Sequence, residues 1–247
     1  MNRRLLLSVF SVMTSIVLTA QHTFSIVAVD PLTGEVGSAG ASCLDVTKMG
    51  MAADTISQLF PNKGSINCQA HYNPANQLIA KQRLNSGYSP GDIIEWLITH
   101  DVDGFPAYRQ YGIAVLSDKG AVANAYSGDS ISGYYNHIIG EDYAIQGNTL
   151  MDQSILDSME YYFLNTKGDL ACKLMAALQG ANKTGADSRC TKNGTSSLLA
   201  FIKIAQPSDK FGEPSLRINV ETSFNDGIEP IEVVQLKFDV LHSCYND

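Results

Sequence analysis

Predicted strands outnumber predicted helices in this chain, and the helices come in adjacent pairs. A βαβ alternation does not produce that order, and it constrains the fold more than any other feature of the sequence. Thr23 to Val29 (TFSIVAV) alternates and is β-rich. Asp30-Pro-Leu-Thr-Gly-Glu35 has turn chemistry, and Val36 to Cys43 (VGSAGASC) follows as a second, small-residue strand, so the two read as a hairpin. Ser65 to His71 is a third strand. A helix begins at Asn73-Pro-Ala-Asn76 and ends near Gly87; a second begins at Ser89-Pro-Gly-Asp92, with Ile93, Ile94, Leu97 and Ile98 at helical spacing. Arg109 to Leu116 and Ala121 to Tyr126 form another hairpin around Ser117-Asp-Lys-Gly120. Asp142 to Gln146 is a short strand running into Gly147-Asn148. Gln153 to Leu164 and Leu170 to Leu178 are a second helix pair, and Gly180 to Thr195 is a polar surface loop. Ser197 to Ala205 and Leu216 to Val220 return to strand patterning. Beyond Pro230 both periods fit, and Pro at a first helical position favours a helix. The expected architecture is α+β: a four-layer αββα sandwich, two antiparallel sheets between helix layers.

The N-terminus predicts export. Arg3 and Arg4 precede an uncharged, mostly apolar run of 16 residues from Leu5 to Ala20, which ends in small residues. That run is short of the ~20 residues a membrane-spanning helix needs. Residues 1–20 are therefore expected to be a signal peptide and 21–247 a single domain, with cleavage after Ala20 or Gln21. The destination is outside the cytoplasm or in a periplasm, and no membrane anchor is expected to remain.

Composition narrows the partners. The formal net charge is −8, and losing Arg3 and Arg4 makes it −10, so a phosphate backbone is repelled and nucleic acid is excluded as a partner. Five cysteines (Cys43, Cys68, Cys172, Cys190 and Cys244) leave at least one outside any intrachain pairing, and no C-x-x-C supports a zinc or thioredoxin-type site. The first pairing expected is Cys172 with Cys190, by a loop folding back on its helix; the second is Cys43 with Cys68. The metalloprotease H-E-x-x-H, P-loop and G-x-G-x-x-G motifs are absent, as is an EF-hand loop, so no metal and no cofactor is expected.

Thr23-Phe-Ser-Ile-Val-Ala28, Asp30-Pro-x-Thr-Gly-Glu35 and Gly37-x-Ala39-x-Ala41-Ser42 resemble the opening of the domain of unknown function 1028 family. Gln69-Ala-x-x-Asn73-Pro74, Tyr111-Gly-Ile-Ala-Val115, Ala144-x-Gln146-Gly-Asn148 and Gly185-Ala-Asp187-Ser-Arg189 continue the resemblance, in order, to about Ala205. It implies an αββα fold related to the N-terminal-nucleophile hydrolases and names no substrate. Members commonly begin Met-Thr-Phe-Ser, whereas here Thr23 stands behind the leader and Gln21-His22.

The chemistry implied is that of an N-terminal threonine. Its own α-amine, which ordinarily titrates at about 7.7–8.0, serves as base for its hydroxyl, which attacks an amide carbonyl. Thr23 is the expected nucleophile, against the plain alternative of a β-branched strand residue. Asn148, after Gln146 and Gly147, is an expected oxyanion donor or else stabilises its own turn. Asp187 and Arg189 are expected at the site, Arg189 as a carboxylate clamp, or else as a simple ion pair. Gln146, Ser42, His71 and Asn73 complete the expected substrate contacts; His71 also reads as a structural residue and Asn73 as a helix-initiating turn. The small residues Gly37 to Ser42 are expected to leave room for substrate. Two functions follow: an amidohydrolase acting on a small amide or peptide-like substrate, or a non-catalytic exported binding or assembly protein with the same fold. A third, with Ser42 or Cys43 as nucleophile, lacks a nearby group to activate the thiol. Fold analogy alone adds an expected homodimer.

Overall fold

The structure is a computed structural model that describes residues 23–47 and 49–244. The expected leader, with Gln21 and His22, lies outside the described residues. The elements are β1 (Thr23–Val29), β2 (Val36–Ser42), β3 (Ser57–Phe60), β4 (Gly64–Ala70), α1 (Pro74–Asn85), α2 (Pro90–Thr99), β5 (Arg109–Ser117), β6 (Gly120–Ser127), β7 (Tyr134–Ile139) and β8 (Tyr143–Leu150). They continue with α3 (Ser154–Asn165), α4 (Leu170–Gly180), β9 (Leu199–Ala205), β10 (Leu216–Glu221) and α5 (Pro230–Leu241). Short 3₁₀ turns occupy Pro106–Tyr108 and Ser188–Asn193.

Local chemistry starts and stops these elements where the sequence implies. Asn73 caps α1 by accepting from the Ala75 and Asn76 N–H groups, and Pro74 occupies the first turn, where its missing donor costs nothing. Ser89 and Asp92 form a reciprocal capping box on α2, and Glu229 with Pro230 opens α5. Gly34, at φ +77°, closes the β1–β2 turn.

The strands form two antiparallel sheets, ordered β10-β9-β2-β1-β8-β7 and β3-β4-β5-β6. Two-residue alternation gives each inner strand one face toward the helices and one toward the other sheet. Phe24, Ile26 and Ala28 of β1 face α3, α4 and α5, in a core with Leu156, Leu174 and Phe238. Ile66 and Cys68 of β4 and Tyr111 and Ile113 of β5 face α1 and α2, against Leu84, Ile93 and Leu97. Val27, Val29, Val36, Leu59 and Ala114 meet between the sheets. The four-layer αββα sandwich is therefore the observed architecture. No described helix is long and apolar enough to cross a membrane.

Three expectations are corrected. The disulfides are Cys43–Cys190 and Cys172–Cys244, and Cys68 is unpaired, so neither expected pair forms. Cys68 points toward α1 and α2 while Cys43 ends a strand of the other sheet, which forbids their union. Cys172 and Cys190 each find a partner far along the chain instead. Second, β3 and β7 are strands that the sequence pattern does not show: β3 is four residues long, and β7 is an edge strand with a bulge, none of whose residues is fully buried. Third, the small residues of β2 do not leave open space at Gly37 or Gly40. A Cβ at Gly37 would collide with Leu174 of α4, and one at Gly40 would lie 2.8 Å from Ser25 Cβ. They let α4 and the neighbouring strand close in.

Candidate active site

The layer between the sheets changes character along β1. At one end it is apolar around Val27 and Val29. At the other, the inward positions of four strands are polar: Ser25 on β1, Gln69 on β4, Gln110 on β5, and Gln146 and Asn148 on β8, all at most 1% exposed. Their side chains bond one another. Ser25 Oγ donates to Gln69 Oε1 (2.6 Å) and accepts from Gln146 Nε2 (2.6 Å). Gln69 Nε2 donates to Gln110 Oε1 (2.7 Å), which also accepts from Asn148 Nδ2 (2.9 Å). Gln110 Nε2 reaches Ser127 Oγ (2.7 Å) and Gly147 O (2.9 Å), and Ser127 Oγ lies 3.0 Å from His137 Nδ1. Burial holds His137 below the ordinary imidazole range, so it favours the neutral ring there.

This network ends on Thr23. Gln69 Nε2 donates to the Thr23 carbonyl at 3.0 Å and Asn148 Nδ2 reaches it at 3.5 Å. Thr23 stands opposite Ser42 in the β1–β2 ladder, and the two line a cavity of about 10 Å³ with Thr55 and Leu199. That is room for roughly one water. The network is not fully paired: Gln146 Oε1 and, beside it on β4, Asn67 Nδ2 have no hydrogen-bond partner among the described residues. Gln146 Oε1 sits over Gly112, where any Cβ would collide with it. Buried unpaired polar atoms are uncommon in native structures.

Asp187 is fully buried beside Cys43, the residue after Ser42. Its Oδ2 accepts the Cys43 N–H at 2.8 Å and pairs with Arg189 Nη2 at 2.7 Å, while Oδ1 accepts from Arg189 Nε at 3.0 Å. With the Cys43–Cys190 disulfide beside it, the carboxylate ties the end of β2 to the 3₁₀ turn. His71 and Asn73 belong to a second cluster. The His71 carbonyl accepts from Arg109 Nη1, its ring packs on Tyr108 at 5.1 Å, and burial followed by the Arg109 charge lowers its pKa. Asn73 caps α1 and donates to Asp103 at 2.8 Å.

Thr23, Ser42, Gln146, Asn148, Asp187 and Arg189 thus gather at one end of the sandwich, whereas His71 and Asn73 join the Arg109 cluster. Ser25, Gln69, Gln110 and His137 are additions. Gln69 carries a signal, the polar series Ser65, Asn67, Gln69 alternating with apolar Ile66 and Cys68 on β4, a pattern that ordinarily reads as a solvent face; Ser25, Gln110 and His137 stand on strand faces that are not polar throughout. Gln146 and Asn148 lie inside β8, which continues to Leu150, so Asn148 stabilises no turn of its own. The string Gly87-Tyr-Ser89-Pro-Gly91 has the spacing of a nucleophile elbow, but Ser89 follows a helix and caps α2. Among the described residues, Cys172, His242 and Cys244 lie close enough to share a metal ion, yet both sulfurs are in the disulfide.

A crystal structure of a protein from Silicibacter pomeroyi, assigned to the DUF1028 family, matches with a TM-score of 0.66 and 21% identity over 89% of this chain and 88% of that one. Anbu (ancestral beta-subunit) from Yersinia bercovieri matches with a TM-score of 0.47 and 11% identity over 88% of this chain and 93% of that one. No curated protein matches. The family of unknown function DUF1028 matches over residues 23–227, beginning at the residue on which the buried network ends, and the chain belongs to that family.

Proposed function

We propose that this chain is an exported amidohydrolase of the N-terminal-nucleophile type, with Thr23 as its nucleophile once residues 1–22 are removed. The observation that carries the reading is the buried amide network holding the Thr23 carbonyl from two sides. A nucleophile that bears its own base needs its backbone fixed, because the amine and hydroxyl belong to one residue. Gln69 and Asn148 serve that positioning. Thr23 Oγ gives its proton to the neutral α-amine and attacks the amide carbonyl. The resulting oxyanion is met by N–H donors, and the ammonium protonates the leaving amine. Water, deprotonated by the same amine, then hydrolyses the acyl-threonine ester. Ser42 stands opposite the nucleophile on β2, Gln146 stands opposite Ser25 two residues further along β1, and Arg189, with its side chain 28% exposed, offers substrate its guanidinium edge. Export accords with two disulfides, which persist in oxidising compartments.

Intact mass and N-terminal sequence of the exported protein test the reading. A chain beginning at Thr23 supplies the amine; one that stably begins at Gln21 or His22 overturns it. On a panel of small amides, turnover is expected to rise through about pH 7–8 as the amine loses its proton. Thr23→Ala is expected to reduce it to background, and Thr23→Ser to keep part of it. The second reading, a binding protein that keeps the fold, is favoured by the single-water size of the Thr23 cavity. It expects Gln21 or His22 at the mature N-terminus and no turnover.

A further inference from the structure

A second cavity, of about 220 Å³, lies over β9 and β10. The two cavities share Ala52 and Thr55 as walls, but Thr23 lines only the smaller one. The charge of the larger one runs against that of the chain. Three cations, Lys203, Lys210 and Arg217, line it with a single acid, Asp54, in a protein whose net charge is −8. Asp54 is already saturated. Arg217 binds it through two nitrogens (2.9 and 2.8 Å), Lys203 Nζ lies 3.2 Å away, and Asn219 Nδ2 adds a bond at 2.9 Å. One carboxylate thus faces two cations held in place by their neighbours, and Lys210 has no ion pair among the described residues. Glu221 acts on Arg217 from outside the lining, and its carboxylate is bonded to the Ala53 N–H at 2.8 Å.

Two further observations point to a ligand. Ser57 lines the cavity, is 5% exposed, and its hydroxyl has no hydrogen-bond partner among the described residues. The remaining wall is apolar, with Leu59, Pro214 and the half-exposed ring of Phe211. Surplus positive charge, a buried donor and an apolar wall together match one chemistry.

We propose that this cavity binds a small organic carboxylate, its charge on the Lys203–Arg217–Lys210 side and within reach of Ser57 Oγ, its apolar body on Phe211 and Pro214. The site stands independently of the hydrolase reading. Benzoate is the probe, benzylamine the same-sized cation, and inorganic phosphate the anion without an apolar body, each titrated into the full mature chain by calorimetry and thermal shift. Benzoate is expected to bind with a Kd of about 1 mM or tighter, and neither of the others to match it. Lys210→Ala and Ser57→Ala are expected to weaken benzoate about fivefold or more, roughly 1 kcal/mol each. Ser57→Ala removes a hydroxyl with no partner, so the Tm of the unliganded protein should hold or rise while the benzoate-induced shift shrinks. Thr23→Ala is expected to bind benzoate like the parent, which separates this site from the proposed chemistry. Absence of benzoate binding, equal binding of benzylamine or phosphate, or unchanged affinity in both cavity variants overturns the proposal.

Discussion

The Gln69 side chain joins the two sheets, from β4 to Thr23 and Ser25 of β1. It donates to Thr23 and Gln110 and accepts from Ser25, so truncating it strips three fully buried groups of a partner. An orphaned buried polar group costs about 1–3 kcal/mol, and Gln110 and Thr23 each keep Asn148 as a second donor. Gln69→Ala is therefore expected to lower stability by about 2–4 kcal/mol, read by denaturant unfolding; a loss under about 0.5 kcal/mol, the size of an ordinary surface change, would show that the network does not hold as described. At the other cluster, burial pushes the Asp101 carboxyl up. Arg109, the N–H groups of Phe105 and Asp103, and the Asn76 amide more than offset this and hold it at about 2. A folded pKa below the unfolded one contributes stability that is complete above the unfolded value and disappears as the pH falls through the folded value. Tm is thus expected to drop between pH 3.8 and about 2, and Asp101→Asn, less stable at neutral pH, to flatten that dependence. His71 was legible as a titratable residue at a strand end; its place beside Arg109 was not, because that contact is made across the β4–β5 pair.

At the scale of elements, the two disulfides join what the chain order separates. Cys43–Cys190 closes a loop of 147 residues, from the end of β2 to the 3₁₀ turn, and Cys172–Cys244 ties the first turn of α4 to the residues after α5. Removing a native disulfide costs about 2–5 kcal/mol. Cys43→Ser with Cys190→Ser is expected to cost that much and to loosen the bond from the residue-43 N–H to Asp187, next to Ser42, whereas Cys172→Ser with Cys244→Ser should leave that region intact. Amide exchange at Cys43, whose N–H is held by Asp187, distinguishes the two. An odd cysteine was readable by counting. The pairing was not, because nearness in sequence favours Cys172 with Cys190, while helix docking on the six-stranded sheet brings the start of α4 to the end of α5. The caps of α1 and α2 were legible for the opposite reason: each is an interaction between residues two or three apart.

For the whole molecule, the sandwich divides its inner layer into an apolar half and a polar half, and the unpaired thiol reports on its integrity. Cys68 is buried under α1 and α2, and desolvation pushes its pKa up to about 12. The native protein is expected to be inert to a thiol reagent at about pH 8, where an ordinary cysteine reacts, and to show one thiol once unfolded. A reactive native thiol would contradict the layer packing. The sequence by itself determined the order of the main elements, their caps and turns, and the αββα layering. These follow from patterns of spacing two, three or four, which neighbouring residues impose on one another. Only the tertiary structure decided which cysteines meet, and that the small residues of β2 are covered by α4 and β1 rather than left open. It alone decided that Ser25 faces Gln69 and Gln146, residues 44 and 121 positions away. Polar alternation on a strand says that one face is polar; whether that face meets water or a second polar sheet depends on how the sheets stack, and no local pattern encodes the partner.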